Sequence, residues 1–320
     1  MGETQITIDV WQGADFRVVD GVQTGDPLGF ADELVMDDVF ALSPKAQPLR
    51  LDLRSTDTGL QRATGVPNAV HLDCCLTLIA PDGQTAEALV LVEESGGEVI
   101  AIYLMGLGDI VAERRYRLIA ITRQTATRRF ADAEAGSFAR GTRITLADGR
   151  MRPVEDLQQG DLVLTRDAGK QPLRHIVQTT LRASGNAMPV VITKGALQND
   201  DDLVLRPDHR VFVYQRDDLL GAGRAEVLVK ARQLVNGVSI LWREGGFIDY
   251  FQLILDDHQI IYAEGIAAES HLVDARTRPA LPPDAAMAPH RHRPHLDYDV
   301  AASLINRQDA AALLRRASTA

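Results

Sequence analysis

A hydroxyl that directly follows a glycine stands at Gly136–Ser137, within Gly136-Ser137-Phe138-Ala139-Arg140-Gly141-Thr142-Arg143-Ile144. Pro153-Val154-Glu155-Asp156-Leu157 and Gly160-Asp161-Leu162-Val163-Leu164 follow it. Two readings are open. Either Ser137 is the first residue of a self-processing domain whose target is the Gly136–Ser137 peptide bond, or it is an ordinary linker serine. No Gly-x-Ser-x-Gly elbow surrounds Ser137, which argues against a serine hydrolase. Two histidines occur in turn-like settings, His209 in Pro207-Asp208-His209-Arg210 and His258 in Asp256-Asp257-His258. Asp208, Asp256 and Asp257 read as solvated turn residues. Cys74 and Cys75 are the only cysteines and are adjacent, so on a strand they face opposite ways. They form no disulfide framework and no metal site.

The elements that must position these residues are strands. Residues 1–130 read as a β-rich N-terminal domain, sandwich-like or an open barrel. Ile6–Val10 and Leu49–Leu53 alternate apolar and polar residues. Cys75–Ile79 and Ala88–Val92 flank Pro81-Asp82-Gly83 as a hairpin. Glu98–Leu104 and Tyr116–Ile121 bring the count to at least six. A short helical segment is expected near Phe30–Val39, inside the long acidic connection from Asp20 to Pro44. Residues 131–136 are a linker holding the junction. Residues 137–280 read as a second all-β domain, with Asp148-Gly149 as a strong hairpin signal. Residues 281–320 form a Pro/His-rich linker and a C-terminal helix. His290, His292 and His295 lie in that tract beside arginines and prolines, which favours a basic segment over a metal site.

The chain has 320 residues, enough for two domains, with 45% apolar and 24% charged residues. Its formal net charge of −10 disfavours nucleic acid or an anionic membrane as partner. No apolar run is long enough for a membrane span. The N-terminus lacks a signal-peptide layout, so a cytoplasmic location or export by a signal-independent route is expected. No cofactor is expected.

Four motifs in order resemble the bacterial branch of the Hint (Hedgehog/intein) domain over roughly residues 136–280. They are Gly-Thr-x-Ile; Pro-Val-Glu-Asp-Leu-x-x-Gly-Asp-x-Val-Leu; Pro-Asp-His-Arg-Val-Phe-Val; and Asp-x-His-x-Ile-x-x-Ala-Glu-Gly with Glu269-Ser270. The resemblance implies a Hint-type all-β domain and self-cleavage. Ser137 would attack the Gly136 carbonyl in an N-to-O acyl shift, and water or another nucleophile would resolve the ester. His209 would protonate the leaving nitrogen, and His258, or Asp256 and Asp257 beside it, would assist the second step. An adjacent hydroxyl makes the attack intramolecular, with little association entropy to lose. An imidazole with a pKa near about 6.5 can both donate and accept. The family's usual nucleophile is Cys, and its usual residue at the place of Arg206 is Thr or Ser. Arg206 would therefore disfavour a protonated His209. After Asn236 the one asparagine is Asn306, followed by Arg307, so cleavage rather than splicing is expected. The substrate would be the protein's own N-terminal domain, and the C-terminal helix would offer a self-association surface. The competing reading is a weak or inactive Hint fold serving as a structural or binding module.

Overall fold

A computed structural model describes residues 4–56, 59–107, 110–134, 136–183, 187–214, 223–273 and 277–287. The expected C-terminal helix and the histidine tract lie outside the described residues. The chain divides into two compact units, residues 4–133 with 277–280, and residues 134–273 with 281–287. Strands dominate both.

In the first unit nine strands form one sheet. Ala69–Ile79 pairs with Gly59–Arg62, then Leu49–Thr56, Thr4–Gln12, Glu98–Gly106 and Thr85–Ser95 follow, and the last returns to Ala69–Ile79. Every pairing is antiparallel, so six strands close a ring. The far half of Ala69–Ile79 also pairs with Arg115–Thr122, and Val39–Leu42 and Phe16–Asp20 extend the sheet from there. A strand buried on both faces needs apolar residues at consecutive positions. Cys74 and Cys75 show this, packing into two different cores. One core holds Ile8, Leu51, Leu53, Leu89, Leu91 and Phe130. The other holds Phe16 stacked on Phe40, with Leu76, Leu78, Val90 and Tyr116. Both thiols are free, and burial raises the pKa of each, that of Cys75 to about 11, so neither is a ready nucleophile.

The expected helix near Phe30–Val39 is not formed. Residues 31–37 are turns and irregular backbone, and a strand begins at Val39. Tertiary carboxylates hold this segment instead. Asp73 accepts the Ala31 N–H at 2.7 Å, and buried Asp38 accepts the N–H groups of Val22 and Gln23 at 2.6 and 3.2 Å. These bonds satisfy backbone donors outside any helix. A helix, Ala126–Glu134, does form just before the junction, so the expected linker begins as helix.

The second unit has two sheets. One is ordered His175–Arg182, Phe247–Ile254, Phe138–Ala139, Leu203–Leu205, Val190–Ile192, Ile240–Trp242. The other runs Met151–Pro153, Arg143–Thr145, Ile260–Ala263, Ile266–Glu269, Arg210–Tyr214, Glu226–Lys230. Leu162–Thr165 pairs with Gly169–Pro172 and touches the second sheet at Thr165–Ile261. Both sheets face one core, which includes Phe138, Ile144, Leu205, Val211, Phe251 and Ala268.

Candidate active site

The two residues after Ser137 are locked in the middle of a sheet. Phe138 pairs with Leu205 on one side and Phe251 on the other, and its side chain is buried in the core. The chain then turns. The Thr142 N–H donates to the Ala139 carbonyl, and Gly141 takes the left-handed φ of +89° at the third position, where a β-carbon is disfavoured. The Gly-Thr-x-Ile motif is thus a turn followed by the strand Arg143–Thr145. Ser137 is fixed from outside by a backbone bond, the Arg206 N–H donating to its carbonyl at 3.1 Å.

That bond also brings His209 to the junction. Leu203–Leu205 ends at the strand partner of Phe138, and a turn through Pro207 and Asp208 follows, closed by the His209 N–H on the Arg206 carbonyl at 3.0 Å. The His209 ring meets the Phe138 ring at 4.4 Å between centroids. Its Nδ1 stands 3.4 Å from where a β-carbon on Gly136 would lie. His209 therefore meets Phe138 on one side of Ser137 and faces the side-chain position of Gly136 on the other. Ser137 and His209 are each 1% exposed, and Ser137 Oγ has no hydrogen-bond partner among the described residues.

Glu269 completes the cluster. The tight hairpin Ile260–Ala263 to Ile266–Glu269 turns at Glu264 and Gly265, both with positive φ, as its twist requires. Ala268 pairs with Val211, which sets Glu269 beside Arg210. Glu269 Oε1 accepts the Arg210 N–H at 3.1 Å and lies 3.4 Å from Arg210 Nη1. It stands 3.2 Å from the β-carbon position of Gly136. Glu269 Oε2 lies 3.4 Å from Nε2 of buried His258.

The electrostatics follow from burial and these contacts. Burial lowers the pKa of His209 below the ordinary histidine value, against the raising effect of Glu269 and of the Ser137 and Glu269 backbone. Arg210 lowers it further. Burial alone would raise the Glu269 carboxyl, but Arg210, His258 and His209 outweigh it and hold the group well below the usual carboxylate range.

The structure brings Gly136, Ser137, His209 and His258 into one chain of contacts through Glu269. It does not bring in Asp256, which is exposed and forms a two-point ion pair with Arg174 at 2.7 and 2.6 Å. Asp257 is half-buried, and its Oδ1 is buried without a hydrogen-bond partner among the described residues. Asp208 is a correction. It is buried rather than solvated, because Lys230 Nζ at 2.9 Å and Arg232 at 3.3 Å reach it from a later strand and its following turn. Burial opposes its charge, yet these cations keep its pKa below the usual range. Arg206 is buried and brackets the site with its backbone. Among the described residues no cluster of His, Cys, Asp and Glu could hold a metal ion, and no helix is long and apolar enough to cross a membrane.

Residues 136–275, under half of the chain, match the family model described as the Hint domain, and this segment is a Hint domain. Two solved inteins are similar to it. The Ssp DnaB mini-intein variant M86 shares 12% identity, covering 44% of this chain and 97% of its own, with a TM-score of 0.30. The gp41-1 intein shares 14% identity, covering 42% of this chain and 97% of its own, with a TM-score of 0.26. No curated protein matches the chain.

Proposed function

We propose that the protein cleaves its own backbone at Gly136–Ser137. Ser137 Oγ bonds to the Gly136 carbonyl carbon and gives its proton to His209. The C–N bond breaks as His209 passes that proton to the Ser137 nitrogen. The products are an ester between Gly136 and Ser137 Oγ and a free amino group on Ser137. Water or another nucleophile then takes the acyl group, which restores the serine hydroxyl, and His258 assists that second step. The segment before Ser137 is the substrate, and splicing does not follow.

The observation that carries this reading is the buried Ser137 hydroxyl, which has no hydrogen-bond partner among the described residues, between Phe138, whose ring meets His209, and Gly136, whose β-carbon position lies 3.4 Å from His209 Nδ1. An unsatisfied buried hydroxyl costs about 1–3 kcal/mol, so its persistence is better explained by use than by structure. A lowered His209 pKa keeps the imidazole neutral at rest, the form able to accept the serine proton.

The test is incubation of the purified chain with and without hydroxylamine or dithiothreitol, beside Ser137→Ala and Ser137→Cys, with fragments weighed by mass spectrometry. The expected result is cleavage mapping to Gly136, speeded by hydroxylamine, lost in Ser137→Ala and faster in Ser137→Cys, because a thiol is the stronger nucleophile at neutral pH. If Ser137→Cys stays intact under every condition, the fold serves as a structural or binding module instead.

A further inference from the structure

We infer that Glu269 is the positioning residue of this site and that it fixes glycine as the residue before the nucleophile. The inference rests on the autoprocessing reading and assigns Glu269 a part in it. A buried carboxylate survives only when held by charge and hydrogen bonds. Glu269 is held by Arg210 through backbone and side chain on Oε1, and its Oε2 lies 3.4 Å from His258 Nε2. None of these contacts is with the peptide to be cleaved, yet Oε1 stands in the space that a side chain at position 136 would enter. A β-carbon there would stand 3.2 Å from Oε1, tighter than ordinary van der Waals contact, and 3.4 Å from His209 Nδ1, at the edge of it. A flexible surface carboxylate would step aside. This one is buried and held on Oε1 by the Arg210 backbone and side chain, so an alanine at position 136 is expected to shift the Gly136 carbonyl from its place beside Ser137.

The same carboxylate is the counter-charge for the imidazolium that forms on His209 during proton transfer. The charged groups facing His209 are Glu269, from the neighbouring strand, and Arg210, from its own. Asp208 beside it is engaged by Lys230 and Arg232. His258 acts on the pair through its contact with Glu269. Replacing Glu269 with a neutral isostere leaves the cation of Arg210 beside His209 without its balance, so imidazolium formation becomes harder.

The experiment uses the full chain. Glu269→Gln, Glu269→Asp, Gly136→Ala and the Gly136→Ala/Glu269→Asp double variant are compared for first-order cleavage rate by intact mass, with thermal melting as the folding control. In parallel, the His209 imidazole is titrated by NMR in the uncleavable Ser137→Ala chain, with and without Glu269→Gln. Glu269→Gln is expected to slow cleavage at least about tenfold and to lower the His209 titration midpoint by about one pH unit. Gly136→Ala is expected to slow cleavage about tenfold, and Glu269→Asp, one methylene shorter, to relieve part of that loss in the double variant. The inference is overturned if the His209 midpoint stays put in folded Glu269→Gln, or if the Gly136→Ala penalty is absent or unchanged by Glu269→Asp. If Glu269→Gln does not fold, the same titration in Glu269→Asp and the double variant decide. A parent chain and Ser137→Cys that never cleave overturn the autoprocessing reading, whereas the NMR titration then still tests the His209–Glu269 coupling alone.

Discussion

Three ionisable side chains, His209, Glu269 and Asp208, are buried in the second unit, and all three have pKa values below their ordinary ranges. For each, the sign for stability is the same. The unfolded chain takes up a proton before the folded one does, His209 near about pH 6.5 and the two carboxylates near about 4. Their contribution is complete above those values and is lost as pH falls. The melting temperature of the Ser137→Ala chain is therefore expected to drop as pH falls below about 6.5 and to drop further below about pH 4, and His209→Asn to remove the upper part of that drop. A pH series of thermal melts checks both, and a flat profile would show that these groups titrate alike folded and unfolded. Catalysis has its own signature. If neutral His209 is the proton acceptor, the cleavage rate should rise through a midpoint below about pH 6.5 and level off above it.

The hairpin Ile260–Ala263 to Ile266–Glu269 is the element on which the site depends. Its turn residue Glu264 has a left-handed φ of +49°, is 1% exposed, and accepts from Arg143 through both carboxylate oxygens and from the Arg143 backbone N–H. Removing Arg143 leaves that charge buried without its main partner. Arg143→Ala is expected to cost about 3 kcal/mol of unfolding free energy in the second unit, read by urea denaturation, and to slow cleavage by loosening Glu269. Gly265→Ala should act in the same direction through backbone strain of about 1–3 kcal/mol, since Gly265 has a φ of +79° and an added β-carbon meets Asp200 at 3.0 Å.

Local chemistry makes part of the second unit visible in the sequence. The Asp148-Gly149 turn, the Gly141 turn and the strands after Ser137 follow from residue types a few positions apart. The partnership of His209 with Glu269 does not. It depends on Val211 pairing with Ala268, across more than fifty residues. Glu269 is visible as part of a motif, but nothing in the neighbouring residues shows that it faces inward. Asp208 misled for a related reason. Pro-Asp-His carries every mark of an exposed turn, and only Lys230 and Arg232, brought by a distant strand and turn, make its burial tolerable.

At the scale of the whole molecule, the ring in the first unit was beyond sequence reading because its closure joins Thr4–Gln12 to both Leu49–Thr56 and Glu98–Gly106. The alternation of Ile6–Val10 shows that one face is buried without saying which partners flank it. The chain's route between its units is equally non-local. Residues 277–280, far downstream of Ser137, belong to the first unit. Cutting a chain ends its covalent continuity but not its folding partnerships. If the proposed scission at Gly136 takes place, the downstream fragment would still supply those residues to the first unit, so the two pieces are expected to travel as one particle on a native sizing column and part only in denaturant. In that case proteolysis and liberation are separate events, and what the cut changes first is not where the N-terminal unit goes but that a new carboxylate and a new amine now exist inside an assembly that still holds.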